Sequence, residues 1–99
     1  MFLGVLELDV LLVGAVDSLK HKRAIIRPVI ARLRRFEVSV TEGGDPDRHR
    51  RALIGVAVIS GEHHHLVELL DRCERQVAAE PELELLAAFR RIVSTDELA

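Results

Sequence analysis

The chain has 99 residues, of which 48% are hydrophobic and 3% aromatic, and its formal net charge is −2. This length predicts a single domain, residues 1–99, with enough apolar side chains for a core. The near-neutral charge excludes a uniformly basic coat for nucleic acid, and a lone cysteine, Cys73, excludes an intrachain disulfide. Glu7 and Asp9 interrupt the N-terminal apolar run, and no apolar stretch approaches the roughly 20 residues of a membrane span. We therefore expect a soluble, cytoplasmic protein without a membrane partner.

The small net charge hides a strong asymmetry along the chain. Residues 17–51 contain ten basic against five acidic residues, whereas residues 62–99 contain four basic against nine acidic ones. Such segregation is compatible with a dipole that steers a charged partner, or with head-to-tail self-association. It is equally compatible with two halves that are merely solvated differently, and the sequence leaves these readings open.

Alternation and helical periodicity predict six elements in chain order. Residues 2–13 alternate like a strand. Asp17 or Ser18 suits the N-cap of a following helix, 19–35, because a short side-chain oxygen accepts from the free N–H groups of the first turn. Its apolar stripe continues across Pro28, where a kink is expected. The remaining predictions are strands at 36–41, 52–59 and 83–93, a turn at 42–47, a helix at 62–80 capped by Ser60 or Gly61, and a polar tail from Ser94.

The predicted order, βαββαβ, indicates an α+β fold of the ferredoxin-like kind. Its four-stranded antiparallel sheet carries both helices on one face, and strands 2–13 and 52–59 lie in the middle. The near-continuous apolar run of 52–59 predicts a strand buried on both faces. The second face of the sheet is expected to be open or to cover a partner.

The chain resembles the YlxP-like family of small bacterial proteins, a family classed as a domain of unknown function. The resemblance rests on short motifs spread over nearly the whole chain. It implies a ferredoxin-like fold, and genes often placed beside those of ribosome-binding factor A, initiation factor and antitermination proteins. Two histidines depart from the family pattern: His21 replaces an acid, and His49 an aromatic that is commonly Trp. The motifs are Gly4-Val5-Leu6-Glu7-Leu8, Ser18-Leu19-Lys20, Lys22-Arg23, Phe36, Val38-Ser39-Val40, Glu42, Arg51-Ala52 and Ile54-Gly55-Val56-Ala57-Val58.

One side of the first helix is basic. Lys20, Arg23, Arg27 and Arg34 fall within about 60° of one another at 100° per residue, and we call this set the basic ridge. Backbone N–H groups and the helix dipole favour anions at the start of such a helix, so the ridge is a candidate phosphate site. An ordinary solvated helix face is the alternative. The residues that are candidates to extend the ridge from the loop are Arg48, Arg50 and Arg51.

Other polar residues receive structural interpretations. Ser18 is assigned to capping, and Lys22, which falls within the apolar stripe, is expected to pair with a carboxylate such as Asp17 or Glu42. Glu7 and Asp9 are expected on the open sheet face, paired with Arg90 or Arg91. His63-His64-His65 lacks the i, i+4 spacing of metal ligands, so no metal site is predicted.

No catalytic constellation, cofactor or small-molecule ligand is predicted, so the leading hypothesis is a non-enzymatic factor that binds RNA or the ribosome. The strand at 52–59 has no aromatic residue for base stacking, so RNA contacts are expected through phosphates. The alternative hypothesis is a homodimeric or protein-partner module that uses the open sheet face. A small-molecule sensor, with its ligand held between paired domains, is a third and weaker hypothesis.

Overall fold

The computed structural model describes residues 1–98 and has the predicted ferredoxin-like architecture. Its sheet has the strand order β2-β3-β1-β4, and each neighbouring pair is antiparallel. The prediction of an α+β, ferredoxin-like fold with two central strands is therefore confirmed. The elements are β1 (Phe2–Leu12), α1 (Leu19–Arg34), β2 (Ser39–Gly43), β3 (Arg51–Ser60), α2 (His63–Ala78), β4 (Leu83–Ser94) and a short 3₁₀ helix, Thr95–Leu98.

The core lies between the two helices and one face of the sheet. Alternate residues of β1, such as Leu6 and Leu8, are fully buried, and so is Ile54 of β3. The helices contribute apolar stripes to the same layer, including Leu33 of α1 and Leu70 of α2, both fully buried. Period-2 strands and period-3.6 helices thus meet in one apolar layer, as the sequence pattern requires.

The second strand begins three residues later than predicted. The N–H groups of Phe36 and Glu37 donate to the carbonyls of Leu33 and Arg34, both at 3.0 Å, so these residues complete the end of α1. Glu37 takes a left-handed conformation with φ of 61°. Such a residue commonly terminates a helix, and it turns the chain toward Ser39. The strand predicted from the alternation of residues 36–41 was therefore wrong for residues 36–38.

The cap of α2 also differs from the prediction. Glu62 is the N-cap residue and its side chain makes no capping hydrogen bond. The Ser60 hydroxyl instead accepts from the N–H of Glu62 at 3.1 Å, directly before the first helical residue. Ser60 thus shapes the turn that leads into α2 rather than its first helical turn.

No α-helix covers the outer face of the sheet in the part of the chain that the structure describes, although Leu98 of the 3₁₀ helix borders a groove on it with Phe89 and Val93. On β3, the outward residues Leu53, Gly55 and Ala57 are only half-buried, so the prediction of burial on both faces is wrong. The apolar run reflects a largely apolar outer face rather than a second covering layer. We call this surface the open sheet face; its outward residues are Leu3, Val5, Glu7, Asp9, Leu11, Ser39, Thr41, Arg51, Leu53, Gly55, Ala57, Ile59, Ala87, Phe89, Arg91 and Val93.

A bidentate ion pair joins α1 to the segment that follows α2. Arg32 Nε and Nη2 donate to the two carboxylate oxygens of Glu80 at 2.8 and 2.7 Å, and Gln76 Nε2 donates to Glu80 Oε1 at 3.2 Å. Burial alone would raise the Glu80 pKa, but the hydrogen bonds from Arg32 and Gln76 outweigh it and hold the pKa below its usual value. The hydrogen bonding to Glu80 raises the pKa of Arg32, although burial lowers it somewhat.

Glu80→Gln is expected to lower the free energy of unfolding at pH 7 by about 1 kcal/mol, a modest value because Arg32 is partly exposed. A carboxyl with a lowered folded pKa stabilises the fold above its unfolded pKa and loses that contribution as pH falls through the folded pKa. The difference between variant and wild type should therefore shrink between pH 7 and pH 3. Urea unfolding at both pH values measures it, with exposed Glu84→Gln as the control. A difference that stays constant down to pH 3 would contradict the assignment.

The single cysteine is part of the core. Cys73 on α2 is fully buried. Burial raises the pKa of its thiol to about 11, although the nearby Arg90 charge lowers it somewhat. A neutral thiol in an apolar layer behaves as a small hydrophobic side chain.

Candidate nucleic-acid interface

The first turn of α1 is capped by Ser18 and carries no acidic side chain. The Ser18 hydroxyl accepts from the N–H of His21 at 3.0 Å, and the extended backbone at Ser18 starts the helix. No acidic residue stands in this first turn. The positive end of the helix dipole is therefore not neutralised by a carboxylate of its own helix.

Lys22 points from the same turn into the protein. Its side chain is 2% exposed, and Nζ lies 2.9 Å from Glu42 Oε2 on β2. The ammonium donates a directed hydrogen bond to the Pro46 carbonyl at 3.0 Å, whereas Glu42 Oε2 accepts no well-directed hydrogen bond. The contact with Glu42 is thus mainly coulombic. Lys22 links α1, β2 and the hairpin loop, which we define as residues 44–50 between β2 and β3.

Three members of the basic ridge share one surface. Lys20, Arg23 and Arg27 are exposed and line a shallow groove of about 360 Å³. None of them forms a salt bridge with any residue in 1–98. From Lys20 to Arg27 the helix rises about 10 Å at 1.5 Å per residue, so the three charges form a short line along it.

Arg34, the fourth member of the basic ridge, is engaged within the fold. Its guanidinium donates to the carbonyl of Val40 at 3.1 Å. Val40 lies on β2, an edge strand of the sheet. The ridge therefore runs along the β2 side of the domain, and its last cation is partly committed to the strand.

Of the three arginines predicted to extend the basic ridge, two lie in the hairpin loop without an ion pair in residues 1–98. Arg48 and Arg50 are exposed and form no ion pair within residues 1–98; Arg50 makes only a long contact, 3.5 Å, to the Leu12 carbonyl. Arg51 belongs to β3 and donates to both carboxylate oxygens of Asp9, at 3.3 and 2.6 Å. Arg51 thus lies on the open sheet face with its charge neutralised, and it does not extend the ridge.

The strand acids do not pair with β4 as expected. Asp9 binds Arg51, and Glu7 makes no ion pair within the described residues. Arg90 faces the helices, where it donates to Asp71 at 2.7 Å and to Glu74 at 3.4 Å. Arg91 does point to the open face, opposite Val5.

The histidines at the start of α2 do not converge on a metal geometry. His64 Nε2 lies 3.1 Å from Glu68 on the exposed side of the helix, and His63 packs edge-on against Phe2 with ring centroids 5.2 Å apart. Within residues 1–98, no group of three His, Cys, Asp or Glu side chains is placed to hold a metal ion. In the same range, no helix has the length and apolarity to span a membrane.

Comparison with known proteins shows the family of this chain. Residues 3–90 match the family described as "Protein of unknown function (DUF503)". The chain belongs to this family. It is also 30% identical over 83 residues to the "Uncharacterized protein YlxP" of Bacillus subtilis (strain 168), an alignment that covers 83% of the chain and 89% of the relative. The matched residues, 3–90, contain the basic ridge and the hairpin loop.

In this DUF503 chain, sequence reasoning missed two contacts of the site. The link from Lys22 to the Pro46 carbonyl was not foreseen, although a lysine within an apolar stripe signals a buried partner. The Arg51–Asp9 pair was missed because β3 was predicted to begin one residue later. A strand start at Arg51 places that side chain on the same face as Asp9.

Proposed function

We propose that this chain is a non-enzymatic factor that binds the phosphate backbone of RNA, on its own or in the ribosome, through Lys20, Arg23 and Arg27. The observation that carries the proposal is the groove that these three exposed and unpaired cations line on α1. Cations of this kind bind phosphates mainly by releasing counterions, which gives affinity without sequence selectivity.

The hairpin loop supports the proposal by its position. The hydrogen bond from Lys22 to the Pro46 carbonyl holds the loop beside the first turn of α1. The exposed Arg48 and Arg50 are therefore at the same end of the domain as Lys20, and they are free of ion pairs within the described residues. A nucleic-acid backbone that follows α1 toward its first turn meets the loop there.

The open sheet face supports a separate role rather than base stacking. Its exposed aromatic side chain is Phe89 on the edge strand β4, and this residue is opposite the acidic Glu7. A carboxylate beside a stacking platform repels a polyanion. RNA contacts are thus confined to the helix and loop side.

Salt-titrated fluorescence anisotropy with a structured RNA, and cosedimentation with ribosomal subunits, test the proposal. The wild type should bind at low salt and weaken steeply as salt rises. Lys20→Glu/Arg23→Glu/Arg27→Glu should abolish measurable binding or weaken it by at least 100-fold. Neutral replacements at the same three positions should lower the slope of log K against log salt by about two to three, as expected for three lost phosphate contacts.

A matched control separates local contacts from total charge. Arg35→Glu/Arg72→Glu/Arg75→Glu changes the net charge by the same amount at exposed positions outside the groove. This variant should retain binding within a few-fold of wild type. Equal losses in the two triple variants, or no binding by wild type at low salt, would refute the proposal.

A further inference from the structure

The open sheet face is too apolar to be an ordinary solvated surface. Phe89 and Ile59 are each 58% exposed, and the half-buried Leu3, Val5 and Val93 surround them. Monomeric proteins rarely leave an apolar patch of this extent in water, so such a patch generally marks an interface.

The face has a depression and a projection in one cross-strand row. Thr41, Gly55, Glu7 and Phe89 are successive partners across β2, β3, β1 and β4. Gly55 has no side chain and Ala57 has only a methyl group. The surface at these two residues is a trough of about 260 Å³, which is also lined by Val5, Glu7, Ser39 and Thr41. Phe89 stands two strands away from Gly55, which is roughly 10 Å at the usual strand spacing.

We propose that the open sheet face binds a second copy of this chain about a two-fold axis that runs along β1. Because β3 and β4 flank β1 at equal distances, this rotation places the partner's β4 over β3 and the reverse. The Phe89 ring of one copy then enters the trough at Gly55 of the other. Two packed sheets lie about 10 Å apart, a gap that a phenylalanine fills only where the opposing residue is small.

The neighbouring rows fit the same arrangement. The residues of β3 and β4 that pair with Val5 are Ala57 and Arg91, and those that pair with Asp9 are Leu53 and Ala87. After the rotation Arg91 lies over Ala57 and Ala87 over Leu53. In each row a large side chain thus meets a small one, which is what close packing requires.

Charge complementarity supports the same partner. Glu7 and Arg91 form no ion pair within residues 1–98 although both lie among apolar side chains. In the two-fold arrangement Glu7 of one copy lies opposite Glu7 of the other, and the Arg91 of each copy stands diagonally beside these two carboxylates, within reach of its long side chain. The dimer therefore pairs two acids with two guanidinium groups that each chain leaves unpaired.

The extent of the face agrees with a small dimer interface. From Leu3 to Leu11 the outward positions of β1 span roughly 27 Å, and the three strands that oppose one another, β3, β1 and β4, span roughly 14 Å. This footprint is roughly 400 Å² per partner, which is below the value of about 800 Å² of the standard interface and typical of a reversible association.

Sedimentation equilibrium from 1 to 100 µM tests the inference. The wild type should sediment at twice the chain mass of 11.1 kDa, with little dependence on salt. Phe89→Asp and Gly55→Leu should each weaken dimerisation by at least 100-fold. A Cβ at Gly55 meets nothing closer than the Thr41 carbonyl oxygen at 3.7 Å, so the fold tolerates a side chain there. Ala31→Asp, at an exposed position of α1 on the other side of the sheet, should remain dimeric.

Mixing two charge variants separates contacts between chains from contacts within one chain. Glu7→Arg and Arg91→Glu should each be monomeric alone, because each substitution gives all four charged side chains at the axis the same sign. An equimolar mixture should form a heterodimer in which both ion pairs are restored. Circular dichroism checks that every variant is folded. A wild type that stays monomeric at 100 µM, which would leave the face to a different protein, or a Phe89→Asp variant that dimerises like wild type, would overturn the inference.

Discussion

Lys22→Met is expected to lower the free energy of unfolding by about 3 kcal/mol. The substitution keeps the length and apolar stem of the side chain but removes a cation that is 2% exposed and lies 2.9 Å from Glu42. Glu42, whose side chain is 22% exposed, is then left charged without its partner. The Pro46 carbonyl loses its donor in the same step. Chemical denaturation at pH 7, at one fixed protein concentration, measures the loss.

A second substitution shows that the unpaired carboxylate is the cause. Lys22→Met/Glu42→Met should recover most of the loss, because a buried ion pair replaced by apolar side chains of similar volume is often neutral. Lys20→Met, two residues away and exposed, should change the stability by no more than about 0.5 kcal/mol. If the double variant is as unstable as the single one, the ion pair is not what holds Lys22 in place.

Gly4→Ala is expected to destabilise the fold by about 2 kcal/mol, although alanine usually favours folding over glycine. Gly4 lies on β1 beneath α2. A Cβ there would stand 2.6 Å from Leu66 Cδ2, 3.0 Å from Leu70 Cδ1 and 3.2 Å from Leu66 Cγ. Both leucines are fully buried, so neither can swing away without disturbing its neighbours. The helix must therefore move away from the strand.

Gly61→Ala, in the connection between β3 and α2, is the matched control. A Cβ at Gly61 would meet no atom within 4 Å. We expect this variant to keep or slightly raise the wild-type stability, since alanine restricts the unfolded chain. Thermal unfolding of both variants distinguishes the cases. Equal effects at the two positions would mean that Gly4 does not set the distance between β1 and α2.

The fold was predictable because its signals are local. Alternation along β1 and the apolar stripes of α1 and α2 each require only a few neighbouring residues. These elements and their order left few arrangements for a short domain, so the central places of β1 and β3 followed. The apolar run of β3 did not reveal that one face of the strand lacks a covering layer. A face buried in the core and an exposed apolar face have the same composition.

The details of the candidate site depended on where β3 begins and on a bulge in β4, and a sequence pattern fixes neither. Beginning β3 at Arg51 rather than Ala52 decides that Arg51 meets Asp9. On β4 the register against β1 shifts between Asp9 and Val10, so that Leu86 is an extra residue. This bulge reverses the alternation, and Arg90 therefore faces the helices. The longer β3 thus explains the position of Arg51, and the bulge of β4 decides which of Arg90 and Arg91 faces the helices.

The contact between Arg34 and β2 has a consequence for how the protein behaves at high concentration. An edge strand with free backbone groups is a template for pairing with other chains, and thus for aggregation. β2 is short, and the Arg34 guanidinium occupies the Val40 carbonyl on its unpaired side. This hydrogen bond occupies one of the backbone acceptors through which β2 would otherwise pair with another chain. Replacing Arg34 together with the rest of the basic ridge would mix lost anion binding with lost colloidal stability, so Lys20, Arg23 and Arg27 are best varied without it.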